Sequence, residues 1–547
     1  MMGLPHAGRW RSPARSRPLS RGLLILVVVE GWLLALSRLA PAMTGGGWPA
    51  LEGLWLVLAL CLAGPGLRRW LAWPAACALG LATLLALLDD LSRLSLGRAF
   101  NPLLDASLVG PAYHLMVDNV GKFLAPLLLC AAGAAILALT WGGAHLLGRL
   151  PTATSRPRRG ALVALLVLSL PVAASGHAAT PLMTLVMRHW QQGVETRQAW
   201  ATFRQQLADG HARPAAALPG LAGRDVSLAF IESYGVSALF DPRYGPVIAP
   251  RLAAMQRRFD AAGLHVATSR LTSPVQGGQS WLAHGTVISG LWLTSQRHYD
   301  LLLTRDSPTL IDDFRLTGHR SVAIMPAITA PWPAGRRLGY DIRLAARDIP
   351  YRGPALNWVT MPDQYTWRFF ADYRRSQSRP LFTELAMISS HAPWTPILPL
   401  LDDWDDLQEG RRFDRWATAG PAPEVLWQDA GDVRRHYIRA IDYALAAMAG
   451  FAERYLGEHQ LLIVLGDHQP APLITGDKAS RDVPIHVISR DVALIARFEA
   501  AGFRPGLWPS DAPASRRQDA LRGLLHRLFG ARSRQGIAVG SDKGLSK

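Results

Sequence analysis

The chain has 547 residues and a formal net charge of +17. The basic excess accompanies no nucleic-acid-binding motif and gathers beside apolar segments, so it excludes a nucleic-acid partner in favour of topology signals and anionic lipid headgroups. All three cysteines, Cys61, Cys77 and Cys130, lie in the apolar first third, which excludes a disulfide framework or a thiol nucleophile in the remainder.

Five apolar segments, residues 22–41, 49–67, 70–89, 123–142 and 159–176, have the length of about 20 residues that a helix needs to span hydrocarbon. Glu30 interrupts the first, and Asp89 with Asp90 closes the third. Arginines 9, 11, 15, 17 and 21 precede the first segment, Arg68 and Arg69 follow the second, and Arg149, Arg156, Arg158 and Arg159 follow the fourth. The first gap, T-G-G-G-W-P, carries no basic residue, and the third spreads Arg93, Arg98 and Lys122 over a longer loop. This bias puts the N-terminus in the cytoplasm and everything after about residue 177 outside. A signal peptide cleaved after Ala-Pro-Ala, residues 40–42, is the alternative for the first segment and leaves the final orientation unchanged. The loop 98–107, R-A-F-N-P-L-L-D-A-S, is mixed in polarity and expected at the outer interface.

Residues 180–212 read as an amphipathic helix, followed by a linker, R-P-A-A-A-L-P-G-L-A-G. The expected division is a transmembrane bundle over 1–178, helix and linker over 179–222, an α/β catalytic domain over 223–530, and a loose basic tail over 531–547. Strands are predicted over 226–232, 264–270, 320–326, 382–389, 460–466 and 485–489, alternating with helical stretches.

Polar residues follow several of these strands. V-S-L-A-F-I ends in Glu232, and L-L-I-V-L-G ends in Asp467 and His468. Two carboxylates and an imidazole at the carboxyl ends of buried strands make most of a hard-metal site. After Gly277 and Gly278, the stretch S-W-L-A-H-G-T-V-I reads as a helix start with Ser280 at or near its N-cap. Such a serine either only caps the helix or presents a hydroxyl where the helix dipole favours an anion. His284, four residues on, shares its face within reach of the same ligand and is a further catalytic candidate, for stabilising charge or moving protons. A-M-I-S-S-H-A-P-W ends a strand with His391 beside Trp394, a pair suited to binding an anionic group. His486 in D-V-P-I-H-V, and Asp363 with Trp367 in M-P-D-Q-Y-T-W, are weaker substrate-binding candidates with a structural reading beside them.

The ordered set Glu232, Ser280, His391, Asp467-His468, behind five apolar segments, resembles the sulfatase-like branch of the alkaline phosphatase superfamily. Within that branch it resembles the membrane-anchored lipoteichoic-acid-synthase-type phosphoglycerol transferases and phosphoethanolamine transferases. The resemblance implies an α/β sandwich behind a five-helix bundle in a bacterial inner membrane, with the catalytic domain periplasmic or extracellular. It implies one divalent metal ion (Mn, Zn, Mg or Ca) held by Glu232, Ser280, Asp467 and His468, with Ser280 as nucleophile and His391 on the substrate phosphate. The implied reaction moves a phospholipid headgroup to an envelope glycan or lipid through a covalent phospho-serine diester; the alternative is a hydrolase using the same site. Two departures matter. Serine stands where these transferases carry threonine. The C/S-x-P-x-R signature of sulfatases is missing, since Ser280 is followed by Trp281, Leu282, Ala283 and His284, which disfavours formylglycine and sulfate-ester chemistry.

Overall fold

The computed structural model describes residues 17–39, 50–175, 180–210, 214–304, 307–509, 514 and 516–531. The first gap, the alternative cleavage point and the tail beyond residue 531 lie outside them. The chain divides into two compact units, residues 1–93 with 98–198, and residues 94–97 with 199–547.

The first unit is helical. Helices Arg17–Leu39, Leu51–Leu62, Pro65–Leu96, Leu124–Gly148 and Arg156–Ala174 carry the five apolar segments. Among the described residues, two of them, Pro65–Leu96 and Leu124–Gly148, are long and apolar enough to cross a membrane. Leu51–Leu62 is apolar but has 12 residues, which at 1.5 Å per residue reaches about 18 Å, short of a hydrocarbon core of about 30 Å. Arg17–Leu39 carries Arg17, Arg21, Glu30 and Arg38, and Arg156–Ala174 opens on three arginines, so each is more polar than its length suggests. Partly buried hydrogen bonds tie this unit together: Trp55 donates to Ser169 at 2.7 Å, and Arg68 donates to Thr152 at 2.6 Å. Glu52 accepts from the backbone amides of Leu182 and Met183, satisfying the start of the helix Pro181–Gly210. Large apolar side chains, among them Leu24, Trp70, Leu127 and Leu137, stand exposed on this unit.

The second unit is an eight-stranded sheet: β1 Asp225–Ile231, β2 His265–Thr272, β3 Arg320–Met325, β4 Ile342–Ala345, β5 Leu381–Met387, β6 Gln460–Gly466, β7 Asp482–Ser489 and β8 Arg504–Pro505, in the order β4-β3-β5-β1-β6-β7-β2-β8. From β4 to β6 the pairings are parallel, and β7 turns antiparallel. All seven residues of β1 are buried, because helices cover both faces. Ala229 and Ile231 point into one core with helices Gly245–Ala261, Asp363–Arg375 and Ala430–Tyr455. Val226, Leu228 and Phe230 point into the other, with helices Ser280–Ser289, Val492–Ala500 and Ala520–Phe529. The six predicted strands are present, while the half-buried β4 and the two-residue β8 add an edge at each side.

Three central strands end at one level. Ile231 pairs with Met387 of β5 and with Gly466 of β6, so Glu232, Ile388 and Asp467 emerge side by side at the carboxyl edge. Gly466 is required there: a Cβ would lie 1.9 Å from the Tyr234 carbonyl oxygen. The packing that aligns the strands thereby builds the floor of a site.

Candidate active site

Asp467 Oδ1 accepts from the backbone amides of Ser233 at 2.8 Å and His468 at 2.6 Å, which fixes the carboxylate at the strand end. Ser233 itself has a left-handed φ of 58°, a strained setting for a non-glycine residue. Its hydroxyl donates to Glu232 Oε1 at 3.0 Å, so one residue ties the two carboxylates together. His468 is fully buried, and its Nδ1 lies 2.8 Å from the Gln469 carbonyl. A carbonyl only accepts, so Nδ1 carries a proton and Nε2 is the nitrogen turned toward Glu232 and Ser280.

Ser280 reaches this group from the other side of the sheet end. Gly277, Gly278 and Gln279 take φ values of 74°, 144° and 65°, a left-handed run that brings the chain back into the helix Ser280–Ser289. Gln279 is the N-cap, so Ser280 is the first helical residue and not the cap. Its hydroxyl is free of the backbone and donates to Glu232 Oε2 at 2.9 Å, with His468 Nε2 at 3.2 Å.

Glu232, Asp467 and His468 each turn a ligand atom to a common point, all within 4.8 Å of one another. His468 Nε2 stands 3.3 Å from Glu232 Oε1 and 3.6 Å from Asp467 Oδ2. Ligand atoms about 2.1 Å from one ion in a tetrahedron lie about 3.4 Å apart, so these separations fit a single divalent cation held by the three residues and Ser280 Oγ. Electrostatics point the same way. Burial pushes Asp467 well above the ordinary carboxylate range, and the charge of Glu232 adds to the effect. Burial acts against Glu232 too, but the imidazoles of His468 and His391 outweigh it and hold this carboxyl down at about 2. Two carboxylates this close disfavour joint ionisation, and a divalent cation between them removes that penalty.

His391 lies within electrostatic reach of Glu232. Its Nδ1 faces the Ala392 carbonyl at 2.5 Å, and its ring stacks near the exposed Trp358 at 5.8 Å. The loop behind it is braced by two residues predicted to bind substrate. Asp363 is buried and accepts from the amides of Ile388 and Ser389 at 2.8 and 2.9 Å. Burial raises its carboxyl to about 6 even against those bonds. Trp394 is also buried and donates through Nε1 to the Ser390 carbonyl at 2.7 Å. Both therefore position the His391 loop, Trp394 through Nε1 and Asp363 through Oδ1, while Asp363 Oδ2 is buried without a hydrogen-bond partner.

His486 departs from its predicted role. It is wholly buried in β7, with Nδ1 2.9 Å from the Thr268 hydroxyl and Nε2 3.1 Å from the Tyr234 hydroxyl. Both ring nitrogens are used, so the imidazole pins the sheet instead of binding substrate. Burial lowers its pKa to about 3 from the ordinary 6.5. The unfolded chain therefore takes up a proton over that interval while the folded one does not. Stability from this group is complete above about pH 6.5 and is lost at about 1.4 kcal/mol per pH unit as the pH falls toward 3. His486→Gln should flatten that part of the acid-unfolding curve and keep transfer within about twofold of wild type, checked by denaturant titration at several pH values. A large loss of transfer would restore His486 to the site.

His284 faces Glu384 of β5, with Nδ1 2.6 Å from Oε1. Glu384, Tyr340, Trp358 and Ser233 escaped sequence reasoning. An acid inside an apolar strand, F-T-E-L-A-M, was the one available signal.

No protein-family model matches the chain, and no curated protein matches its sequence. Solved structures do. The integral membrane lipooligosaccharide phosphoethanolamine transferase A from Neisseria meningitidis is similar at 12% identity and a TM-score of 0.47, covering 93% of this chain and 95% of that one. The lipoteichoic acid synthase LtaP from Listeria monocytogenes is similar at 12% identity and a TM-score of 0.38, over 58% of this chain and 74% of that one. The phosphoglycerol transferase GacH from Streptococcus pyogenes, in complex with sn-glycerol-1-phosphate, is similar at 13% identity and a TM-score of 0.35, over 53% and 75%. Similarity at this level assigns no reaction, and the functional reading rests on the geometry above.

Proposed function

We propose that the protein is a membrane-anchored phosphotransferase of the sulfatase-like branch of the alkaline phosphatase superfamily. It moves a phospholipid headgroup, phosphoglycerol or phosphoethanolamine, to an envelope glycan or lipid. The observation that carries this reading is the Ser280 hydroxyl within hydrogen-bond reach of Glu232 and His468 at the edge of a buried Glu232–Asp467–His468 cluster. A hydroxyl at the positive end of a helix, beside a divalent-cation site, is placed to attack an anionic phosphorus centre. The exposed apolar side chains of the first unit and its two long apolar helices support a lipid setting, which suits a lipid donor. The arginine bias supports a five-span topology with the catalytic unit periplasmic or extracellular.

A divalent cation bound by Glu232, Asp467, His468 and Ser280 would lower the pKa of the serine hydroxyl and offset charge on the phosphoryl oxygens. Ser280 Oγ attacks the headgroup phosphorus, and its proton departs along the hydrogen bond to Glu232. The bond to the diacylglycerol oxygen breaks, leaving a phosphodiester on Ser280. An acceptor hydroxyl then attacks the same phosphorus, Ser280 leaves and regains a proton, and the headgroup passes to the acceptor. His391 steadies the phosphoryl charge through its free Nε2.

The test is incubation of the purified full-length protein with headgroup-labelled phosphatidylglycerol and phosphatidylethanolamine, with and without a glycan acceptor. Diacylglycerol release with label moving to the acceptor is the expected result. Release of free glycerol phosphate or phosphoethanolamine at the same rate with or without acceptor would replace transfer by hydrolysis.

A further inference from the structure

Glu384 sits in the middle of β5, opposite Leu228 of β1 and Ala323 of β3, with its side chain 2% exposed. A carboxylate in the centre of a sheet is costly unless it is paired and hydrogen-bonded. Among the described residues its partners are neither arginine nor lysine. Oε1 receives His284 Nδ1 at 2.6 Å, and Oε2 accepts from the Tyr340 hydroxyl. Burial first, and then the charge of Glu384, keep Tyr340 protonated and donating. The His284 ring stacks on Phe230 with centroids 3.8 Å apart and planes 22° apart, so the imidazole is fixed in position as well as in tautomer. Nδ1 is committed to Glu384, which leaves Nε2 as the edge that can exchange a proton. His284 lies one helical turn beyond Ser280 on the same face, and its charge is felt by Asp467.

We infer that Tyr340, Glu384 and His284 form an acid–base relay for the reaction proposed above, with His284 the catalytic group and Glu384 and Tyr340 its positioning residues. In the first step the Ser280–phosphorus bond forms, the bond to the alkyl leaving oxygen breaks, and His284 Nε2 gives its proton to that oxygen. In the second step the acceptor hydroxyl gives its proton to Nε2 as its oxygen bonds to phosphorus and the Ser280 oxygen departs. His284 ends as it began, and Glu384 offsets the charge of the protonated ring before the first step and after the second without accepting a proton.

The relay rests on the transfer reading, and the two are separable by the choice of donor. An alkyl phosphodiester must have its leaving oxygen protonated, whereas p-nitrophenolate departs unassisted. Full-length wild type, Glu384→Gln, His284→Gln and the double variant are compared on both donors, with metal content and Tm measured alongside. In a single turnover without acceptor, which reads the first step alone, the relay predicts about a 100-fold slower release of the leaving group from the alkyl donor and less than about fivefold from the p-nitrophenyl donor. It also predicts a double variant no slower than His284→Gln alone. Tyr340→Phe, which removes one hydrogen bond and little volume, should show a smaller loss with the same donor preference, and it keeps the test open if Glu384→Gln folds poorly. Equal losses on both donors, or losses that multiply in the double variant, would overturn the relay and leave transfer standing. A wild-type protein inert toward both donors would overturn transfer and the relay together.

Discussion

Ser280→Ala should lower headgroup transfer by at least about a thousandfold while leaving the fold and metal content close to wild type. The covalent route ends when Oγ is removed, and the hydroxyl of Ser233, the neighbour of Glu232, is committed to Glu232 Oε1. The cluster keeps Glu232, Asp467 and His468, so three of four ligands survive. A serine that served the helix would behave in the opposite way, with lost stability and preserved turnover. Ser280 is the first helical residue behind a Gln279 cap, and its hydroxyl bonds to Glu232 instead of to the helix backbone, so its removal frees no amide. Ser280→Thr should keep most of the activity, since the hydroxyl is retained at the start of the same helix. Steady-state transfer, metal analysis and thermal unfolding of the three proteins check this. Near wild-type transfer in Ser280→Ala would remove the nucleophile assignment.

Asp467→Asn should lower metal affinity at least about 100-fold and transfer with it, yet leave the metal-stripped protein as stable as wild type or more so. Asparagine can still accept from the Ser233 and His468 amides, so the strand end keeps its shape. What it loses is the second negative charge. In the metal-stripped wild type, burial and Glu232 raise the Asp467 carboxyl well above 3.8. The folded state then holds a proton that the unfolded state releases, so stability falls as pH rises above about 4. The variant should lack that slope, and added divalent metal should raise the Tm of wild type but not of the variant. Chelator-treated samples scanned across pH provide the measurement. A metal-induced Tm gain of wild-type size in Asp467→Asn would show that the cation sits elsewhere.

The central strands and the metal-site candidates were legible for the same reason. Runs such as L-L-I-V-L-G and V-S-L-A-F-I are continuous because helices bury both faces of a parallel sheet, and polar residues directly after them mark the carboxyl edge. Edge strands β4 and β8 lack that signature, since the first is half-buried and the second is two exposed residues. His486 misled because a histidine inside an apolar strand reads as unsatisfied until its partners are known. Thr268 and Tyr234 stand 218 and 252 residues away in sequence. Glu384 was invisible for the converse reason: one acid in an otherwise apolar strand resembles a surface position, and only the fold brings His284 and Tyr340 to it. Each of the five apolar segments falls on a helix of the first unit, beside Pro102–Asp105 and Val109–Val120, but the polarity of Arg17–Leu39 and Arg156–Ala174 and the shortness of Leu51–Leu62 depart from five uniform spans.

The most direct test of a covalent serine route is the mass of the protein itself. Full-length enzyme loaded with divalent metal is mixed with phosphatidylglycerol or phosphatidylethanolamine without acceptor, quenched in acid and mapped by peptide mass spectrometry. The peptide containing Ser280 should gain the mass of the phosphorylated headgroup, differing between the two lipids by the difference of their headgroups, and should lose it when acceptor is added before the quench. Turnover that proceeds with Ser280 unmodified, or with the adduct on another residue, would contradict it.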